Sequence, residues 1–156
     1  MTFVQRENEI HFVCEEALND YGYVLKWNGT ECTVNKANIT EYPLGVCMTS
    51  TRDFSNPVLT YLADKEVNIK REGVCDVKLV ANNALIHCGD YVCTTGVINT
   101  VSSGTVDLWV PNTLTAGQYH RSISTIVGIA LEEVAAGVPA TGDTDKIRVL
   151  LTIRNL

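Results

Sequence analysis

Tyr23-Val24-Leu25-Lys26-Trp27-Asn28-Gly29-Thr30-Glu31-Cys32-Thr33-Val34 is the stretch that decides how this chain folds. Two runs rich in β-branched and aromatic residues flank Asn-Gly, the dipeptide that best tolerates the positive φ angles of a two-residue type I′ turn. The stretch reads as a β-hairpin with its turn at Asn28-Gly29. Further along the chain the same grammar recurs. Residues 44–49, 58–62, 67–73, 74–80, 91–94 and 105–110 are short runs of strand formers separated by Gly, Pro, Asn or Asp, and Pro111 stops the last of them. Val67 and Ile69 alternate with Asn68 and Lys70, giving one dry and one wet face. In the next run Val77 and Leu79 point inward, with Val74 and Cys75 placed near a turn. Residues 126–134 start as a strand and can extend as a helical turn from Ala130, and residues 146–154 alternate over their first half and close the sheet.

On the N-terminal side of the hairpin, residues 15–22 offer at most a helical turn stopped by Gly22. Residues 3–13 are apolar at both ends and polar in the middle, which suits an arm better than a core strand. The expected fold is mainly β: a small single-domain β-barrel or sandwich over residues 18–156, preceded by an N-terminal arm over residues 1–17. The halves also share an order of features. Tyr23-Val24, Leu44-Gly45-Val46-Cys47 and Val67 to Ile69 are echoed by Tyr91-Val92, Val127-Gly128-Ile129-Ala130 and Ile147 to Val149. Chance similarity among short strands competes with an internal repeat as the explanation.

The bulk properties bound the function. A chain of 156 residues that is 46% hydrophobic and 19% charged can bury a core without covalent staples. Its net charge of -6 repels phosphate backbones, and no basic track exceeds Lys70-Arg71, so no nucleic-acid partner is expected. Apolar runs fall short of the roughly 18 residues that a spanning helix needs, so no membrane partner is expected either. The first residues lack the basic start and apolar run of a signal peptide, which predicts maturation in a cytoplasm. There the six cysteines, at positions 14, 32, 47, 75, 88 and 93, are expected as free thiols, mostly small buried hydrophobes.

Chemistry is hard to find in this sequence. No nucleophile elbow, zinc-protease helix motif or phosphate loop occurs, so no catalytic residue and no cofactor is expected. His87, Cys88 and Cys93 lack the second paired motif of a zinc site, so no metal is expected. Glu15-Glu16 and Glu132-Glu133 read as solvated surface, and Asp143-x-Asp145 lacks the glycine and distant glutamate of a calcium loop. Trp27, Trp109 and Tyr119 are candidate stacking platforms for a carbohydrate.

An ordered set of segments does carry a resemblance. It comprises Phe3-Val4-Gln5, Gly22-Tyr23-Val24, Leu44-Gly45-Val46, residues 67–73 followed by Val77, residues 84–92, residues 126–132 and residues 147–151. In this order they resemble the capsid decoration (cement) family of tailed bacteriophages and related viruses, long catalogued as a domain of unknown function. The resemblance implies a β-tulip-like or small-barrel protein on the outer capsid surface of a virion. It also implies trimers over the gaps between subunits of the major capsid protein, and adhesion instead of catalysis. The cysteine content and residues 112–124 depart from the family pattern. For the arm, two roles stand open: Phe3, Val4, Ile10 and Phe12 anchor it to a sheet edge of the capsid, or it belongs to the protein's own sheet. On the first, deleting residues 2–13 abolishes capsid binding and spares the fold. A carbohydrate- or receptor-binding β-module of a virion, or a tail or baseplate component, is the rival expectation.

Overall fold

Buried and exposed side chains alternate with the two-residue period of extended backbone and build ten strands among the residues that the computed structural model describes: 9–30, 32–96, 100–110, 123–137 and 145–153. The first five are β1 (Glu9–Cys14), β2 (Val24–Trp27), β3 (Thr33–Lys36), β4 (Gly45–Cys47) and β5 (Lys65–Lys70), closed into a barrel in the order β1-β3-β2-β4-β5. The second five are β6 (Glu72–Lys78), β7 (Tyr91–Thr95), β8 (Thr105–Leu108), β9 (Ile126–Ala130) and β10 (Lys146–Thr152), in the order β6-β10-β9-β7-β8. The fold is mainly β, as expected. Arg71 alone separates β5 from β6.

The two groups are one unit used twice. Replacing β1 to β5 by β6 to β10 reproduces every neighbour in the sheet order. The one parallel contact is included: β1 with β3 through Cys14 and Val34, and β6 with β8 through a bridge from Leu79 to Val106. Registers match residue by residue. Phe12 opposes Val67 as Val77 opposes Ile147, and Leu25 opposes Gly45 as Val92 opposes Gly128. Loop hydrogen bonds repeat as well: Glu15 N donates to Val34 O at 3.1 Å and Val80 N to Val106 O at 3.0 Å, while Gly22 N to Cys47 O and Gly89 N to Ala130 O are both 2.8 Å. The echo visible in the sequence is therefore a structural repeat, shifted by one residue in its first element, since Val24-Leu25 and not Tyr23-Val24 corresponds to Tyr91-Val92. Gly45 and Gly128 hold equivalent sites. A Cβ on Gly45 would overlap the Ile69 side chain and the Lys70 carbonyl, and one on Gly128 the Val149 side chain and the Leu150 carbonyl.

The units differ at the seam between them. In the first, Val13 N donates to Cys32 O at 2.9 Å and β1 zips directly onto β3. At the equivalent place in the second, Lys78 N donates to Gly22 O and Val24 N to Gly104 O, both at 2.8 Å. A piece of the first unit thus stands between β6 and β8. Its outward side chain Val24, with Val46 and Ala37, is buried in the second unit's core among Val77, Leu79, Val92, Val106, Val127, Ile147 and Val149. The first barrel has its own core of Cys14, Leu18, Tyr23, Leu25, Val34, Cys47, Val67 and Ile69. Burying Val24 and Val46 stabilises the seam by about 3 kcal/mol or more.

Several expectations need correcting. The hairpin forms, but Trp27 opposes Val34, so six residues lie between the members of this last pair and five between the strands. Only Gly29 of the Asn-Gly pair has positive φ, at 86°, so the turn is not type I′. The faces survive because the register moves by an even number of residues. The slide lets Val34 meet both Trp27 and, across the parallel pair, Cys14. Residues 58–62 form no strand. Pro57 precedes them, and Val58 and Leu59 stand in an exposed excursion joined by a bridge from Arg52 to Tyr61. Val74 and Cys75 lie within β6, not at a turn, with Val74 outward and Cys75 buried. No helical turn forms over residues 15–22, and β9 ends at Ala130 without one. The boundary after residue 17 does not mark off an arm either, because residues 9–14 are β1, paired along their whole length with β5.

Candidate interaction surface

Of the four residues assigned to capsid binding, Phe3 and Val4 lie outside the described residues. Ile10 stands on β1 opposite Ile69, and Phe12, opposite Val67, packs against the first barrel's own core. Of the two roles open to the arm, residues 9–14 take the second, their own sheet. A deletion reaching residue 13 removes a barrel strand, so such a variant is expected to lose the fold.

The most elaborate polar cluster lies at the seam. Lys78 Nζ sits 2.6 Å from Asp145 Oδ2 and 3.0 Å from Asp20 Oδ2, and Lys146 Nζ sits 2.7 Å from Asp20 Oδ2 and 3.4 Å from Asp145 Oδ1. The Lys78 ammonium also lies over the Tyr23 ring and that of Lys146 over Tyr21. Burial by itself would raise the Asp20 carboxyl, but hydrogen bonds from Lys146 and Lys78 outweigh it and hold Asp20 below the usual carboxylate range. Burial pulls both lysines down, and their bonds to the carboxylates overcome it and leave both raised. Each charge is matched by its opposite, so the arrangement serves as a clamp on the inserted segment next to Gly22.

A pH dependence follows. A carboxyl depressed in the folded state adds stability that is complete above the unfolded value of about 3.9 and is lost as pH falls through the lower folded value. Chemical denaturation as a function of pH should show stability falling below pH ~4, and Asp20→Asn should lower stability at neutral pH while shrinking that acid slope. Glu41, where burial is likewise outweighed by its bond to Lys26, and Asp53, lowered by the hydrogen bonds from Ser55, contribute to the remaining slope. An acid limb of unchanged steepness in Asp20→Asn would show that the clamp does not carry it.

All six thiols are free. Burial pushes Cys14 and Cys93 up to about 11 and Cys47 and Cys75 up to about 12, so these four are protonated and poorly nucleophilic at neutral pH. Cys88 is exposed on the turn before β7. His87 pairs with Asp90, its Nδ1 3.5 Å from Oδ2, and among the described residues no group of three or more His, Cys, Asp and Glu could hold a metal ion. The paired acids have structural partners. Glu15 accepts from the Asn28 side chain, Glu16 from the Lys36 N–H, and Glu132 from the Arg148 N–H. Trp27 is exposed at the end of β2, Trp109 meets Tyr91 edge-on at 5.9 Å, and Tyr119 lies outside the described residues. No helix among the described residues is long and apolar enough to cross a membrane.

Two apolar features were not read from the sequence as surface. One is the excursion between β4 and β5. Its base is pinned by Asp53 N to Thr60 O and Leu62 N to Thr51 O, both 2.9 Å, and its tip is shaped by the Asp53 carboxylate accepting from Ser55 N and Oγ. That tip presents Phe54, 82% exposed, with Val58 and Leu59 beside it in sequence, and Arg52 lies over the Phe54 ring at 5.1 Å. The other is a row across the second sheet. Val74 opposes Leu150, Leu150 opposes Ile129, and Ile129 opposes Tyr91, while Trp109 N donates to Tyr91 O at 2.8 Å and continues the row. The sequence held a signal for this row. The alternation along β10 breaks at Leu150, where a polar residue belongs.

No protein-family model matches this sequence, and no curated protein matches it.

Proposed function

We propose that this chain is a capsid decoration (cement) protein, made in the host cytoplasm, that binds the outer surface of the major capsid lattice and works by adhesion without catalysis. The observation that carries the proposal is the excursion over residues 51–62. A hairpin-like loop fixed by hydrogen bonds at its base holds Phe54, Val58 and Leu59 out in solvent, where isolated protein has no use for them. An apolar tip on a rigid base is suited to a pocket or seam between subunits, because little conformational entropy remains to be lost on docking. The ordered resemblance of the sequence points to the capsid as the surface, and trimers over subunit gaps are the arrangement it implies.

The test is occupancy on purified expanded capsids measured by sedimentation. Wild type should co-sediment, and Phe54→Glu with Leu59→Glu should lower the affinity at least tenfold with an unchanged melting temperature, since both side chains are exposed. Undiminished binding by the double variant would remove the loop from the interface, and no binding by wild type would remove the capsid. The exposed Trp27 indole favours a carbohydrate as the second reading, and saturable retention on a glycan array lost in Trp27→Ala would establish it.

A further inference from the structure

The duplication supplies an internal control on what an outward-facing row of this unit requires. In the first unit the row runs Val24, Val46, Lys70, Glu9 across β2, β4, β5 and β1. Val24 and Val46, the two positions covered by the second unit, are apolar and wholly buried. The next position, Lys70, lies outside that shared core and is charged, and Glu9 follows it in the register. The equivalent row in the second unit is Tyr91, Ile129, Leu150, Val74, lengthened by Trp109, and no position in it carries a charge. Three of its five residues are exposed, Tyr91 at 44%, Val74 at 45% and Leu150 at 38%, and Ile129 and Trp109 are half-buried. Five strands at about 4.8 Å spacing make it roughly 19 Å long, the scale of the apolar centre of a protein–protein contact. The rows on either side are polar, with Asp76 and Arg148 on one and Glu72 and Thr152 on the other, as the rim of such a contact is.

We infer that this row is a contact between copies of this chain. The molecule already shows what covers the equivalent face: a second β unit of the same fold. The first barrel, where β1 zips onto β3 through Val13 and Cys32, has no opening for an inserted strand. The contact between copies is therefore made face on face, sheet against sheet, with side chains interdigitating across about 10 Å. The inference stands independently of the capsid, because it concerns the isolated protein.

Multi-angle light scattering over a concentration series reads it out. Wild type should elute as a multiple of the chain mass, and Leu150→Lys and Tyr91→Lys, on different strands, should each elute as a monomer. Both side chains point outward, so far-UV circular dichroism should keep the wild-type shape, and either variant alone suffices if the other is poorly folded. A wild type that is monomeric throughout overturns the inference, as does an oligomer that both folded variants preserve. Monomeric wild type whose binding to purified capsids is lost in Leu150→Lys overturns it in favour of a foreign partner for the same row.

Discussion

Gly128→Val should unfold the protein or cost about 3 kcal/mol or more in a denaturant titration, and Gly45→Val should do the same. At both positions the obstacle to a side chain is in part the carbonyl of the partner strand, Leu150 O for Gly128 and Lys70 O for Gly45. Backbone cannot move aside by changing rotamer, so relief would require parting β9 from β10, or β4 from β5, and breaking the ladder between them. The loss would reach the core, because Val149 and Ile69, packed against the two glycines, are core residues of their units. Gly29→Ala is the control. No atom lies within 4 Å of a Cβ there, and the positive φ of 86° alone leaves a penalty of about 1 kcal/mol. Equal losses at Gly29 and Gly128 would mean that close approach between strands is not what these glycines permit.

Residues 72–156 produced alone should show no cooperative unfolding transition and should bind a hydrophobic dye. Adding residues 1–71 in trans should restore a cooperative transition. The second unit does not close on itself: the Lys78 N–H and the Gly104 carbonyl find their partners in Gly22 and Val24. Without the first unit both groups lose their bonds. Val24, Ala37 and Val46 leave its core, and Asp20 leaves the cluster that matches Lys78 and Lys146. The burial of Val24 and Val46 alone, about 3 kcal/mol or more, is a large share of the 5–15 kcal/mol that holds a typical domain folded. A cooperative, dye-silent fragment would show that the inserted segment is dispensable.

Much of the architecture is legible in the sequence. Val67 and Ile69 face inward because they alternate with Asn68 and Lys70, and Val77 and Leu79 do so for the same reason. The apolar-Gly-apolar runs at Gly45 and Gly128 marked the repeat, since a glycine flanked by strand formers signals close backbone approach. The candidate surface was less legible. Phe54 to Leu62 contains strand formers, and local preference cannot tell a strand from an excursion whose neighbours leave it unpaired. Residues 9–14 looked too polar for a core strand because a barrel strand buries only one face, and the polar residues occupy the other.

The sequence by itself determined the class of fold, the buried face of β5 and of the end of β6, and an echo of three segments between the two halves. These depend on the two-residue period and on turn chemistry, which are properties of neighbouring residues. Only the tertiary structure decided the length of the loop after Asn28-Gly29, the passage of Gly22 to Val24 between β6 and β8, and the gathering of Val74, Leu150, Ile129, Tyr91 and Trp109 into one row. Each depends on register between strands far apart in the chain. Register is set by the total fit of many contacts, which no short stretch of residues contains.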